Sequence, residues 1–140
     1  MEGQSYMDKL EVMLRVQAKS QRERGFNFDK MTEQERATYI KTQALHLHTE
    51  LGEFLRELPF FKEWKKYPAE LHVNNKWSRE ELIDVLHFML NICIAMGLSA
   101  EDIFQEYCNK AVINSNRLKN TTEYKRDTDT DSLMEGSNEA

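Results

Sequence analysis

The strongest constraint on the fold is a helical repeat of apolar residues that is interrupted at only a few positions. Four stretches place apolar side chains three and four positions apart, the spacing that lines one face of an α-helix. Gly25, Pro59 and Gly97 follow three of these stretches and are natural helix stops. The predicted helices cover about residues 5–24, 33–58, 78–96 and 99–120. The sequence therefore predicts an all-α fold, a bundle of four to five helices.

Charge and composition limit the classes of function. A net charge of −5 and a pI near 5.4 give no basic footprint for a nucleic-acid duplex or an anionic membrane. The longest apolar run, about residues 85–96, is too short to span a bilayer, and the N-terminus lacks a signal-peptide pattern. We therefore expect a cytoplasmic protein with one helical domain over residues 1–124 and a disordered polar tail over residues 125–140. Cys93 and Cys108 lack metal-type spacing and are interpreted as reduced, buried thiols.

The third predicted helix begins with WSREELIDVLHF, residues 77–88, which carries acids into the most apolar helix of the chain. Ser78-Arg-Glu-Glu81 fits a capping box, in which Ser78 is the N-cap and Glu81 reaches back to its amide. Capping leaves Asp84 and His87 unexplained, although they follow on the same face. The alternative explanation for these acids is a metal site.

The second predicted helix repeats the acid spacing with Glu50 and Glu53. If the two helices are antiparallel neighbours, the four carboxylates share one groove, where like charges about 4 Å apart repel by about 1 kcal/mol in water and about 4 kcal/mol at an effective dielectric of 20. Such a cluster requires cations, and carboxylate oxygens without thiolates suit Mg²⁺ or Mn²⁺. A di-iron carboxylate bundle is disfavoured, because it needs Glu-x-x-His on two helices and the chain offers only Asp84-x-x-His87.

Two further groups of residues are candidates for ligand contacts within the first half of the chain. Gln17 falls on the apolar stripe of the first helix, either as a buried amide bonded to backbone or as an amide that faces a ligand. The long connection at residues 59–77 concentrates aromatic and basic side chains, among them Phe61, Lys62 and Trp64. These side chains either bind a base and its phosphates or pack on the bundle.

A polar stripe on the fourth predicted helix is the last candidate. Lys110, Asn114 and Arg117 are spaced by four and three residues and so share a face. The stripe is either an exposed surface or a clamp for phosphate oxygens, which lysine and arginine bind directly.

Several of these segments together resemble the all-α nucleoside triphosphate pyrophosphohydrolases, the superfamily of MazG and the dimeric dUTPases. Glu50-x-x-Glu53 and Glu81-x-x-Asp84, with 27 residues between them, resemble the carboxylate motif of that superfamily. The segments LHLHTELGEFLREL, FFKEWKK, EELIDVLHF followed by GLS, and YCNKAVINSNR are similar to the dimeric dUTPase branch. The resemblance covers about residues 6–124.

The resemblance implies an enzyme that cleaves a deoxynucleoside triphosphate, dUTP first among the substrates, to the monophosphate and pyrophosphate. Glu50, Glu53, Glu81 and Asp84 would hold two or more Mg²⁺ ions, and Glu50 or Glu53 would orient or deprotonate the attacking water. The implied triphosphate contacts are Lys110, Asn114, Arg117 and Tyr124, and the implied base and sugar contacts are Gln17, Phe61, Lys62, Trp64 and His87. Members of the family assemble as dimers or tetramers, which implies a homodimer or homotetramer here.

The sequence departs from the branch at ligand contacts. Leu118 follows Arg117 where the branch has Gln, Thr121-Thr122 stand where it has Gly-Tyr, and Ser20 replaces an amide in the first helix. These departures leave the base open, and another substrate such as dGTP is the alternative. An alternative of a different class is a non-catalytic helical interaction module with an acidic groove for a divalent ion or a basic partner. The aromatic loop and the polar stripe of the fourth helix disfavour that module.

Overall fold

A computed structural model describes residues 7–120 of the chain. Four α-helices, labelled α1 to α4, and one short 3-10 turn at Phe28–Lys30 make up this part. Their bounds are Lys9–Glu23 for α1, Glu33–Glu57 for α2, Lys76–Ala95 for α3 and Ala100–Lys119 for α4. No strand occurs within residues 7–120. The all-α prediction is confirmed, while Tyr124 and the predicted tail at 125–140 lie outside the described residues.

The chain divides into two compact units within α4. The first unit ends at Ile103 and holds α1, α2, α3 and the first turn of α4. The second begins at Phe104 and, within the described residues, holds the remainder of α4. The expectation of a single domain over residues 1–124 stays a prediction.

Two predicted helix starts are confirmed by their hydrogen bonds. In the capping box of α2 the amide of Glu35 donates to Thr32 Oγ1 at 3.2 Å, and the amide of Thr32 donates to Glu35 Oε2 at 2.9 Å. Ser99 and Asp102 make the same reciprocal pair at the start of α4, at 3.0 and 2.9 Å. Because the bonds from Ser99 favour the ionised carboxyl, they lower the pKa of Asp102.

The predicted start of α3 is wrong. Its N-cap is Asn75, whose Oδ1 accepts from the amide of Ser78 at 3.0 Å while Ser78 Oγ accepts from the amide of Asn75 at 3.2 Å. The Ser78 hydroxyl also donates to the carbonyl of Val73 at 2.7 Å. This buried serine is therefore the third residue of α3 and not its N-cap, and the cap lies three residues earlier than predicted. Glu81 is therefore outside the cap. The predicted start of α1 near residue 5 also differs, since α1 begins at Lys9 with Asp8 as its N-cap.

The core of the first unit lies where α1 and the start of α4 meet α3. Leu14, Leu90 and Ala100 are buried together, and the half-buried residues Leu10, Leu86, Cys93, Ile94 and Ile103 pack around them. The predicted apolar stripe of α2 is only partly covered, because Ala44 is exposed and Leu51 keeps 40% of its surface exposed. Both cysteines are free and half-buried rather than fully buried, and burial raises the pKa of Cys93.

Arg36 links the start of α2 to two distant carbonyl groups. Its Nη1 donates to the carbonyl of Ala95 at 2.7 Å, and its Nη2 donates to the carbonyl of Phe28 at 2.8 Å. Nε is buried without a hydrogen bond and lies 3.7 Å from Glu33 Oε1. The guanidinium thereby joins the last turn of α3, the 3-10 turn and the start of α2.

The segment between α2 and α3, residues 58–75, has no regular helix. Phe60 adopts a positive φ of 66° at its start, a strained conformation for a bulky residue. Taken singly, none of the helices within residues 7–120 has the length and apolarity to cross a membrane, and α3 and α4 reach that threshold only when joined across their break.

Candidate active site

The candidate site lies along the contact between α2 and α3, which run antiparallel in a constant register. Gln43 bonds to Asn91 at one end of this contact, and His46 stacks on Phe88 one turn further along. Two to three turns from the Gln43–Asn91 bond, the same register brings Glu50 and Glu53 of α2 to Glu81 of α3. Residues three and four positions apart on α2 therefore contact residues with the same spacing on α3. This line of contacts between the two helices is called the seam below.

Three carboxylates converge at the acidic end of the seam. One oxygen from each of Glu50, Glu53 and Glu81 lies within 4.8 Å of the other two, and all three side chains are half-buried. The i, i+3 spacing of Glu50 and Glu53 puts both on one face of α2. Arg56 lies one turn further on, with Nη2 3.6 Å from Glu53 Oε1, and is the nearby cation on the same helix. This cluster supplies three of the four predicted metal ligands.

Partial burial and mutual repulsion raise the pKa values of two carboxyl groups in this cluster. Partial burial, a hydrogen bond with Glu53 and the charges of Glu53, Asp84 and Glu81 raise the pKa of Glu50 to about 7. Partial burial and the charges of Glu53 and Asp84 likewise raise the pKa of Glu81. Without a cation, the cluster therefore favours holding a proton near neutral pH.

Asp84, the fourth predicted ligand, lies one turn beyond Glu81. It is half-buried and outside the group of three, although its charge acts on both Glu50 and Glu81. His87 Nδ1 lies 3.6 Å from Asp84 Oδ1, and the imidazole is exposed. His87 therefore lies beside the acidic group without belonging to it, and its contact with the base stays a prediction.

The amide of Gln17 bonds to side chains and not to backbone. Its Nε2 donates to Asn91 Oδ1 at 2.7 Å, and Asn91 Nδ2 donates to Gln43 Oε1 at 2.8 Å. These three residues, called the amide relay below, connect α1, α3 and α2. Asn91 and Gln43 are 2% and 6% exposed. Asn91 and Gln43 were not among the predicted site residues, and their only signal in the sequence was an amide on the apolar face of a helix.

Gln17 and His87 line a shared groove between α1 and α3. The groove has a volume of about 270 Å³, and its other lining residues are Val12, Met13, Val16, Ile83, Leu86 and Leu90. An apolar groove with a few polar groups suits a flat heterocycle. The structure thus brings two of the five predicted base contacts together.

The other three predicted base contacts lie in the connection after α2. Phe61 and Trp64 are 45% and 84% exposed, while Tyr67 packs edge to face on Phe60 at 5.3 Å. The Lys62 amide donates to the Tyr67 hydroxyl at 3.3 Å. Across residues 7–120, no hydrogen bond, ring contact or ion pair joins Phe61, Lys62 or Trp64 to the groove. Part of the loop packs on itself, and its exposed aromatics remain available.

The predicted triphosphate contacts of α4 belong to the second unit. Lys110, Asn114 and Arg117 are exposed on that helix, and their spacing puts them on one face. Tyr124 lies outside the described residues. Their role in phosphate binding stays a prediction.

The donor set at the acidic end fits a hard divalent cation. Three carboxylates without thiolate or imidazole within the group match the oxygen ligands that Mg²⁺ and Mn²⁺ prefer. A cation would also remove the repulsion that raises the pKa of Glu50.

Comparison with known proteins agrees with this arrangement. A sequence profile of the dUTPase family matches residues 9–99, which span α1, α2, α3 and all four predicted metal ligands. A dCTP pyrophosphatase of Enterobacteria phage T4 is 33% identical over 94 residues, which cover 58% of this chain and 55% of the phage protein. A DNA replication protein of the same phage is 33% identical over 90 residues, which cover 54% of this chain and 23% of that protein.

The chain therefore spans about half the length of one curated relative and about a quarter of the other. No solved structure matches. Since the family profile covers more than half of the chain, the resemblance to the all-α nucleoside triphosphate pyrophosphohydrolases is confirmed, and this chain belongs to the dUTPase family.

Proposed function

We propose that this protein is a Mg²⁺-dependent nucleoside triphosphate pyrophosphohydrolase that converts a deoxynucleoside triphosphate and water to the monophosphate and pyrophosphate. The observation that carries the proposal is the convergence of Glu50, Glu53 and Glu81 in a chain of the dUTPase family. The half-buried cluster has few nearby cations and fits a divalent metal better than a structural ion pair.

The metal would be held by Glu50, Glu53 and Glu81, with Asp84 as a fourth ligand one turn along α3. Mg²⁺ is the expected ion, with Mn²⁺ as a substitute. When bound, it would neutralise phosphate oxygens and lower the pKa of a water molecule.

The α2 carboxylates have a second task in this proposal. Glu50 or Glu53 would orient the attacking water and accept its proton, since both lie on the face of α2 that turns toward α3. His87, 3.6 Å from Asp84, would hold that carboxylate or contact the substrate.

The substrate is proposed to be a pyrimidine deoxynucleoside triphosphate. Membership of the dUTPase family supports dUTP, and the similarity to the T4 dCTP pyrophosphatase supports dCTP as the second candidate. Gln17 and His87 would contact the base in the α1–α3 groove, with Phe61, Lys62 and Trp64 closing on it from the loop. By family resemblance, the proposed triphosphate contacts are Lys110, Asn114, Arg117 and Tyr124.

We also propose that the protein acts as a homo-oligomer, with a dimer as the simplest assembly and a tetramer as the alternative. The support is the amount of large apolar surface left exposed by one chain. Leu45, Ile83 and Met89 keep 64%, 48% and 49% of their surface exposed. Burying such side chains against a second copy would stabilise the association.

The test is a pyrophosphate-release assay with each of the four common deoxynucleoside triphosphates and dUTP, with Mg²⁺ and with excess EDTA. We expect Mg²⁺-dependent turnover that is fastest with dUTP or dCTP. The matched variant is Glu53→Gln, which should lose turnover while its circular dichroism spectrum is unchanged. Absence of turnover with every substrate would overturn the proposal in favour of a non-catalytic module.

A further inference from the structure

We propose that Asn91 and Gln43 are positioning residues that fix the orientation of the Gln17 amide and thereby set the choice between uracil and cytosine. This inference rests on the proposed function, because it deepens the substrate preference of the same site. The inference concerns the amide relay, whose two inner members, Asn91 and Gln43, belong neither to the acidic cluster nor to the residues that line the groove.

The relay has a defined direction. Asn91 donates through Nδ2 to Gln43 Oε1, so its Oδ1 is turned toward Gln17. An amide oxygen can only accept, and Gln17 must therefore present Nε2 to it, as observed at 2.7 Å. This leaves Gln17 Oε1 and the second hydrogen of Nε2 for other partners. The inner amides thus determine which end of the Gln17 amide is the acceptor.

Burial makes this direction costly to reverse. Asn91 is 2% exposed and Gln43 is 6% exposed, so water is largely excluded as a replacement partner. If the Asn91 amide alone turned over, two NH₂ groups would meet at one contact and two carbonyl oxygens at the other, so the three amides can reverse only by turning together. Buried polar groups without partners are destabilising, and the relay therefore behaves as one unit.

The outer member of the relay, Gln17, lies in the groove between α1 and α3. Gln17 and His87 line this groove of about 270 Å³, which is otherwise apolar. His87 lies one turn from Asp84 on α3, and Asn91 lies one turn further. From Asp84 to Asn91 the helix rises by about 10 Å. That separation is comparable to the distance between the base and the phosphates of one nucleotide.

Uracil and cytosine differ at the edge that an amide reads. Uracil offers a donor at ring nitrogen N3 and an acceptor at O4, whereas cytosine offers an acceptor at N3 and a donor at its amino group. An amide pairs with either edge, but the two pairings need opposite orientations of its oxygen and nitrogen. An amide whose orientation is fixed therefore favours one of the two bases, and a freely turning amide accepts both.

The experiment compares dUTP and dCTP in two independent measurements on the full-length protein. One is kcat/KM for pyrophosphate release, and the other is calorimetric affinity for the non-hydrolysable α,β-imido analogues with Mg²⁺. In Asn91→Leu, which removes the relay at similar volume, we expect the dUTP-to-dCTP ratio to move toward one by about tenfold in both measurements. The KM of the preferred substrate should change more than its kcat.

Two further variants keep the test valid if Asn91→Leu folds poorly. Gln43→Leu removes only the far end of the relay and should also relax the ratio, because Asn91 is then free to turn. Gln43→Glu should retain the original ratio, since a carboxyl oxygen still accepts from Asn91. Tyr39→Phe is the structural control, because it removes the buried bond of 2.9 Å from Tyr39 to Gln21 Oε1 without touching the relay. It should lower the melting temperature and leave the ratio unchanged.

The outcomes separate this inference from the proposed function. Selective binding of one analogue without turnover would overturn the proposed function, and loss of that selectivity in Asn91→Leu would still support the relay. Turnover with an unchanged ratio in folded Asn91→Leu and Gln43→Leu would overturn the relay alone. A wild-type protein that neither binds nor cleaves either nucleotide would overturn both.

Discussion

His46 of α2 stacks on Phe88 of α3 with ring centroids 5.4 Å apart and ring planes inclined by 25°. In the register of the two helices, this contact lies one turn from Glu50 and one turn from Gln43. It therefore separates the acidic cluster from the buried amides and holds the two helices together between them.

Removal of the Phe88 ring should destabilise the seam more than removal of the His46 ring. Phe88 is half-buried and His46 is exposed, so Phe88→Ala loses buried apolar area as well as the stacking contact. We expect a loss of about 2–3 kcal/mol in the free energy of unfolding for Phe88→Ala and about 1 kcal/mol for His46→Ala. Urea denaturation at fixed protein concentration measures both, and equal losses would show that Phe88 contributes only the ring contact.

The stability of the metal-free protein should depend on pH through Glu50. Its pKa is about 7 in the folded chain against a reference of 4.5, so the folded state binds this proton more tightly than the unfolded state. The resulting stabilisation is present below pH 4.5 and is lost as the pH rises through about 7.

In EDTA, the melting temperature of the wild-type protein should fall between pH 4.5 and about 7, and Glu50→Gln should reduce this fall. The control is Glu80→Gln, an exposed acid of α3 whose Oε1 lies 3.9 Å from Lys76 Nζ. If Glu50→Gln and Glu80→Gln have the same pH profile as wild type, Glu50 does not titrate in this range.

Asp84→Asn tests whether the acid outside the group of three takes part in metal-dependent chemistry. The substitution preserves shape and removes the charge that acts on Glu50 and Glu81. We expect Mg²⁺-dependent turnover to fall by about 10–100-fold, with a higher Mg²⁺ concentration needed for half-maximal rate. Glu80→Gln is again the matched control on the same helix and should keep the wild-type rate. Full activity of Asp84→Asn would remove Asp84 from the metal site.

Trp64→Ala tests the exposed aromatic of the loop. Since Trp64 is 84% exposed, its removal should change the melting temperature little. If the ring covers the base, KM should rise by about tenfold while kcat changes less. Trp77→Ala removes a second exposed indole, 59% exposed at the start of α3, and should leave KM near the wild-type value. A KM unaffected by Trp64→Ala would exclude Trp64 from the site.

The sequence was sufficient to predict the helices and the acidic end of the seam. Apolar spacing and reciprocal caps are local properties, and the predicted starts of α2 and α4 agree with the caps Thr32–Glu35 and Ser99–Asp102. The meeting of Glu50 and Glu53 with Glu81 also followed from spacing, because antiparallel helices bring matched i, i+3 pairs together. The predicted start of α3 was wrong because two overlapping segments, Asn75-x-x-Ser78 and Ser78-x-x-Glu81, both fit a capping box. In the one that forms, the Ser78 hydroxyl also donates to the carbonyl of Val73.

The amide relay could not be predicted from the sequence. Gln17 and Asn91 are separated by 74 positions and Asn91 and Gln43 by 48, and nothing local pairs them. The exposure of Leu51 and Ala44 could not be predicted for a related reason. Periodicity shows which face of a helix is apolar, but it does not show how much of that face one chain covers.

Arg36 has a consequence for the way the first unit opens in solution. Because its guanidinium takes the carbonyl of Ala95 as acceptor, the last turn of α3 depends on a residue 59 positions earlier, in the first turn of α2. The carbonyl of Phe28 is held by the same group, which ties the 3-10 turn to both helices. Amide hydrogen exchange at the end of α3, at the start of α2 and in the 3-10 turn should therefore proceed through one shared opening event, although the sequence places these segments far apart.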